Sequence, residues 1–137
     1  MSEVIGLPDR CTSAAFKRAY PGESDTVDDL GLDRLDGIKT GTHDDAEAIV
    51  RGAADTLWRC RPWLMLALAD PNALPAVDAL VRGFGYRTWR LDAPLAPAVT
   101  FSGRVDAALA GRTIVVLVAM PEERQVRLDM PYCAPLS

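Results

Sequence analysis

With 137 residues, 49% hydrophobic and 25% charged, the chain has the length and apolar content of one soluble domain around one core. A net charge of −4 with 15 scattered basic residues excludes an electrostatic nucleic-acid footprint, and no apolar run approaches the roughly 20 residues of a membrane span. Cys11, Cys60 and Cys133 are distant and lack C-x-x-C spacing, so neither a disulfide framework nor a metal site is expected.

The first residues, with Glu3, Pro8 and Asp9, lack the basic start and apolar block of a signal peptide, and a cytoplasmic protein is expected. In residues 1–25, Val4 to Leu7 fits a short strand and Ala14 to Tyr20 a helical turn, ending at the Pro21-Gly22 turn. Thr26 has the chemistry of an N-cap, with Asp28 and Asp29 at the positive end of a short helical turn. Leu32 and Leu35 continue an apolar face, and residues 36 to 41 read as a strand through Ile38.

From Asp44 onward Ala46, Ile49, Val50, Ala53, Ala54, Leu57 and Trp58 recur at offsets of three and four, predicting one helix with Thr42 as its cap and Asp45 completing a capping box. Pro62 stops it. Trp63 to Ala69 is a continuous apolar run that predicts a strand covered on both faces, so Trp58 and Trp63 are expected in the core. Asp70 followed by Pro71 opens a second helix with the stripe Leu74, Val77, Leu80, Val81 and Phe84, closed by Gly83 and Gly85.

Tyr86 to Leu91 alternates like a half-buried strand, residues 93 to 111 read as a loop, and Thr113 to Met120 is the most β-branched strand of the chain. Val126 to Met130 predicts a further strand before the tail. Alternation of this kind implies a mostly parallel α/β sheet into which the last long strand inserts antiparallel.

Ligands of open α/β sheets bind at a strand-to-helix turn, here Gly41, Thr42, His43, Asp44 and Asp45. His43, the one histidine, with Asp44 and Asp45 beside it, supplies the candidates for acid–base chemistry or a cation, although H-D-D specifies no metal geometry. The backbone amides following Gly41 could instead hold an anion, against the charge of the two aspartates.

The succession T-V-D-D-L, L-D-G-I-K, the apolar helix ending R-G-A, T-L-W-R-C-R-P-W-L-M-L and G-F-G-Y resembles the C-terminal half of FkbM-type methyltransferases. That resemblance covers residues 26 to 92 and extends toward 121. It implies a Rossmann-like sheet and S-adenosylmethionine-dependent O-methylation, yet the G-x-G of the cofactor half is missing from the 25 residues before it. The family's motif I-K-x-D-x-E-G-x-E, set on Ile38 and Lys39, places its three acids on Gly41, His43 and Ala46, and a fourth acid falls near Ala67. Ile38, Lys39, Gly52, Ala53, Arg61 and Pro62 are retained.

The expectation is therefore a truncated Rossmann-like methyltransferase half-sheet, ordered strand-helix-strand-helix-strand-strand, mostly parallel with one antiparallel strand. An N-terminal segment 1–25, an α/β domain 26–121 and a strand and tail 122–137 would compose it. Function would be non-catalytic, as a binding or structural subunit in a homo-oligomer or larger protein complex, with no cofactor. The alternative is a methyltransferase whose S-adenosylmethionine site is completed by another chain, with His43, Asp44, Asp45 and Glu47 in shifted roles. Truncation would leave 36–41 as an unpaired edge, making Gly37, Ile38, Lys39 and Thr40 interface candidates, with Trp89 between Arg87 and Arg90 as a fifth.

Overall fold

A computed structural model describes residues 4–5, 26–94 and 112–136. The expected helical turn at 14–20 and most of the expected loop at 93–111 lie outside them. Among the described residues are the strands β1 (Val4–Ile5), β2 (Gly37–Thr40), β3 (Trp63–Leu68), β4 (Tyr86–Pro94), β5 (Thr113–Pro121) and β6 (Cys133–Pro135). Three helices, α1 (Ala46–Arg51), α2 (Ala54–Cys60) and α3 (Leu74–Arg82), lie between β2 and β4 in sequence.

The strands form one sheet in the order β1-β2-β3-β5-β4-β6. β1 with β2 and β2 with β3 are parallel. β5 runs antiparallel between β3 and β4, and β6 adds antiparallel to β4. The insertion of β5 agrees with the sequence, but a mostly parallel sheet does not, because three of the five pairings are antiparallel. The short β6 lies at 133–135 and not at 126–130, where no regular structure forms.

The helices cover one face. Ala46, Val50, Ala53 and Leu57 from α1, the break and α2, and Leu74, Val77 and Val81 from α3, pack with Ile38, Leu64, Leu66, Leu68, Tyr86, Val115, Leu117 and Ala119. Burying each of the valine, leucine and isoleucine side chains among them contributes about 1.5–3 kcal/mol. Trp89, Val116 and Val118 form a second cluster on the opposite face, with half-buried Met65, Ala67, Leu91, Ile114 and Met120 around them. β3 consequently alternates fully buried with half-buried positions, and Trp63 is half-buried.

The expected single helix after Asp44 is two. Gly52 and Ala53 separate α1 from α2, and the residues before Asp28 wedge into the break. A Cβ at Gly52 would lie 2.9 Å from Thr26 Cβ, and the Asp28 amide donates to Gly52 O at 3.0 Å. Glycine is both a poor helix former and the residue that lets another backbone approach. Ala53 and Leu57 keep the buried face across the break, while Trp58 beside Leu57 is 56% exposed, against the Phe84 ring and not in the core.

β2 is not an edge. Val4 and Ile5 pair with Gly37 and Ile38 on one side, while all four residues of β2 pair with β3 on the other. The expected missing neighbour is supplied by β1 at Gly37 and Ile38, the two residues of β2 that it pairs.

Candidate functional site

The turn after β2 is built from short-range hydrogen bonds. Asp44 Oδ2 accepts from the Gly41 amide at 2.7 Å, and the Asp44 amide donates back to Gly41 O at 3.2 Å. The cap of α1 is Asp45 and not Thr42: Asp45 Oδ1 accepts from the Ala48 amide at 3.1 Å. Glu47 pairs with Arg51 one turn on, at 2.8 Å. Each acid near the turn thus has a local structural partner, as helix starts favour. His43 is exposed beside them.

The other residues singled out in the sequence point different ways. Ile38 and Thr40 face the helices and are buried, whereas Lys39 is exposed on the opposite face. Thr40 Oγ1 is buried and has no hydrogen-bond partner among the described residues. Gly37 lies under the Trp63 indole, where a Cβ would come 2.1 Å from Trp63 Cε2. Trp89 is 4% exposed, across β5 from these residues and level with Val118, and the Arg87 guanidinium stacks 5.3 Å from its ring centre. The structure therefore gathers His43, Asp44 and Asp45 at one turn but separates Trp89 from β2.

A denser polar cluster surrounds Arg61. Its Nε and Nη2 donate to Glu123 Oε1 and Oε2 at 2.6 and 3.0 Å, its Nη1 to Phe84 O at 2.6 Å, and Nη2 also to Gly85 O at 2.9 Å. The same guanidinium lies 5.2 Å from the Trp58 ring centre and 4.8 Å from that of Tyr86. Arg61 caps α2 in the left-handed conformation, φ 52°, where glycine is usual. The side chain explains the choice, since a glycine there would leave two carbonyls and a carboxylate without their donor. Tyr86 donates its hydroxyl to Pro62 O at 2.8 Å, and burial pushes its phenol well up despite the neighbouring arginine.

Asp28 caps α2 from outside it. Its Oδ1 accepts from the Thr56 amide at 2.9 Å and hydroxyl at 2.7 Å, and its Oδ2 from the Asp55 amide at 3.2 Å, while the N-cap residue Ala53 makes no side-chain bond. Burial raises the Asp28 pKa, but these bonds outweigh it and leave the carboxyl below its usual value. Asp29 and Thr26 exchange reciprocal bonds, Thr26 amide to Asp29 Oδ2 and Asp29 amide to Thr26 Oγ1, which is the capping box the sequence placed one element later.

Sequence reading kept Arg61 as structural and set Trp58 in the core; the spacing of three between them, at a helix end before Pro62, is the available signal for their stacking. Among the described residues no group of three or more His, Cys, Asp or Glu side chains is placed to hold a metal ion, and no helix is long and apolar enough to cross a membrane. No protein-family model, curated protein or solved structure matches the chain.

Proposed function

We propose that the protein is a non-catalytic binding or structural subunit with a methyltransferase-like α/β fold, acting through oligomerisation or a protein partner. The observation that carries this reading is the turn at 41–47. Its acids serve the backbone and Arg51, and the positions where the family resemblance expects catalytic acids hold Gly41, His43 and Ala46. A carboxylate engaged by the amides that shape its own turn is poorly placed to take a proton from a substrate.

The residues Ile38, Gly52, Arg61 and Pro62, which the resemblance retains, all hold the fold: Ile38 in the core, Gly52 at the helix break, Arg61 in its cluster, and Pro62 accepting from Tyr86. The acids of the turn do not fit S-adenosylmethionine, since Asp44 and Asp45 are tied to backbone amides. No chemical step is assigned to it.

The second reading, an O-methyltransferase completed by another chain, has Thr40 in its favour, a buried hydroxyl at the end of β2 without a partner among the described residues. Calorimetry with S-adenosylmethionine, light scattering at high concentration and affinity capture from the native source test both. The first reading expects no binding heat together with an oligomer or a co-purifying partner. A monomer without company overturns it, and heat that appears once a second chain is added favours the other.

A further inference from the structure

We propose that residues 131–136 are a releasable strap over the β4 edge, and that its replacement there is the same strap from a second copy of this chain. The result is a strand-exchanged dimer. The proposal rests on the oligomeric form of the reading above and names its surface.

β6 holds β4 through Cys133, Ala134 and Pro135, level with Leu91, Arg90 and Trp89. Two further backbone bonds flank it, Asp92 amide to Tyr132 O at 2.9 Å and Leu136 amide to Thr88 O at 3.0 Å. Ala134 and Pro135 are exposed, and Cys133 and Leu136 half-buried. The remaining grip is Arg82, whose Nη2 donates to Leu136 O while its Nε reaches Asp78 and Thr88, and the packing of two half-buried side chains, Leu136 against the main core and Cys133 against the Trp89 cluster. An element held by hydrogen bonds at the surface, with little apolar burial, opens locally before the core does.

The connection that precedes the strap is strained at both ends. Gln125, just after the turn at Glu122–Arg124, has φ 47°, and Tyr132 has φ 63°. Left-handed backbone is unfavourable for residues with side chains, and Tyr132, 71% exposed, has little burial to offset it. Residues 126–130 between them form no helix or strand. Extending this connection, as exchange requires, relieves both positions, and the seven residues 125–131 then span up to about 25 Å. In the exchanged form the strap meets the same Thr88, Arg90, Asp92 and Arg82, so its pairing is unchanged and concentration and connection length set the balance.

Hydrogen exchange on the full chain tests the release. The amides of Asp92 and Leu136 are expected to exchange about a hundredfold faster than those of Val115 to Ala119, and equal protection overturns the proposal. Deleting the exposed Asp129 and Met130 shortens the connection so that the strap returns poorly in cis; a dimer by light scattering is expected, and a folded monomer overturns it. Leu91→Cys places a thiol level with the native Cys133 across the strap and β4, and mild oxidation of the dimer is expected to join the two chains covalently, read on a denaturing gel. A dimer or co-purifying partner in which that bond closes only within single chains refutes strand exchange while leaving the assembly reading intact. Absence of any assembly removes both.

Discussion

Arg61 and Glu123, 62 residues apart in sequence, meet through two parallel hydrogen bonds of 2.6 and 3.0 Å. That pair joins the end of α2 to the end of β5, and through Phe84 O and Gly85 O it also fixes the turn between α3 and β4. Arg124 closes the ring by donating to Arg61 O at 3.0 Å.

Replacing Arg61 with Lys keeps the charge but removes the planar fork that serves four acceptors. A loss of about 2 kcal/mol is expected in urea unfolding, because two buried-side carbonyls lose their donor. Glu123→Ala, at an exposed carboxylate, is expected to cost under about 1 kcal/mol. Equal costs would show that the ion pair, and not the carbonyl contacts, supplies the cluster's strength.

The hydrogen bonds from Arg61 lower the Glu123 carboxyl from 4.5 to about 2. A carboxyl depressed in the folded state contributes stability above its unfolded pKa and loses it as pH falls through the folded value. Thermal stability is therefore expected to decline between about pH 4.5 and 2, with a shallower decline in Glu123→Gln and in high salt. Asp28, also lowered, adds to the same slope. A Glu123→Gln profile parallel to the wild type would refute the assignment.

Asp28→Ala removes the acceptor of three hydrogen bonds at the start of α2. The expected cost is about 1–2 kcal/mol, against a smaller one for Asp29→Ala, whose partner is a short turn. Amide exchange at Asp55 and Thr56 checks the mechanism directly, since both amides lose protection only in the Asp28 variant.

Gly37→Ala places a methyl group inside the Trp63 indole. Displacing that ring is expected to cost about 1–3 kcal/mol in chemical unfolding. In a Trp63→Leu background the same substitution should cost much less, and additivity of the two changes would refute the contact.

Thr40→Val exchanges a buried hydroxyl without a partner for a methyl group of the same shape. A gain of about 1 kcal/mol is expected, read as a higher urea midpoint with unchanged slope. A loss would mean that Thr40 Oγ1 has a partner in solution, and would strengthen the ligand-binding alternative.

Local periodicity made most of the core legible. Leu74, Val77 and Val81 formed a stripe in the sequence and lie against the sheet, and the β-branched run 113–120 became the strand at the centre of the β sheet's antiparallel part. What local pattern does not carry is register over long distances. Trp58 fitted the stripe of a continuous helix, but the contact between Thr26 and Gly52 that breaks the helix joins residues from separate elements. Asp28 looked like the first-turn acid of its own short helix, and only the fold shows that its oxygens cap α2. The edge assigned to residues 36–41 failed for the same reason: Val4 to Leu7 reads as a short strand, but its pairing with Gly37 and Ile38 joins segments far apart in the sequence. At the turn after β2, His43, Asp44 and Asp45 are neighbours in the sequence, while the bonds of the two aspartates to Gly41 and Ala48 follow only from how the turn folds.

The placement of β5 has a consequence for synthesis. β3 and β4 have no direct pairing, and what lies between them is a strand made some 20 residues after β4 ends. As the chain leaves the ribosome, β3 and β4 emerge with their facing backbone groups unpaired, and Leu64, Leu66 and Leu68 wait for Val115, Leu117 and Ala119. Such a nascent chain has hydrophobic surface and two open edges until residue 121 is free. Completion of the central strand, and not formation of any helix, therefore marks the moment at which this protein can fold.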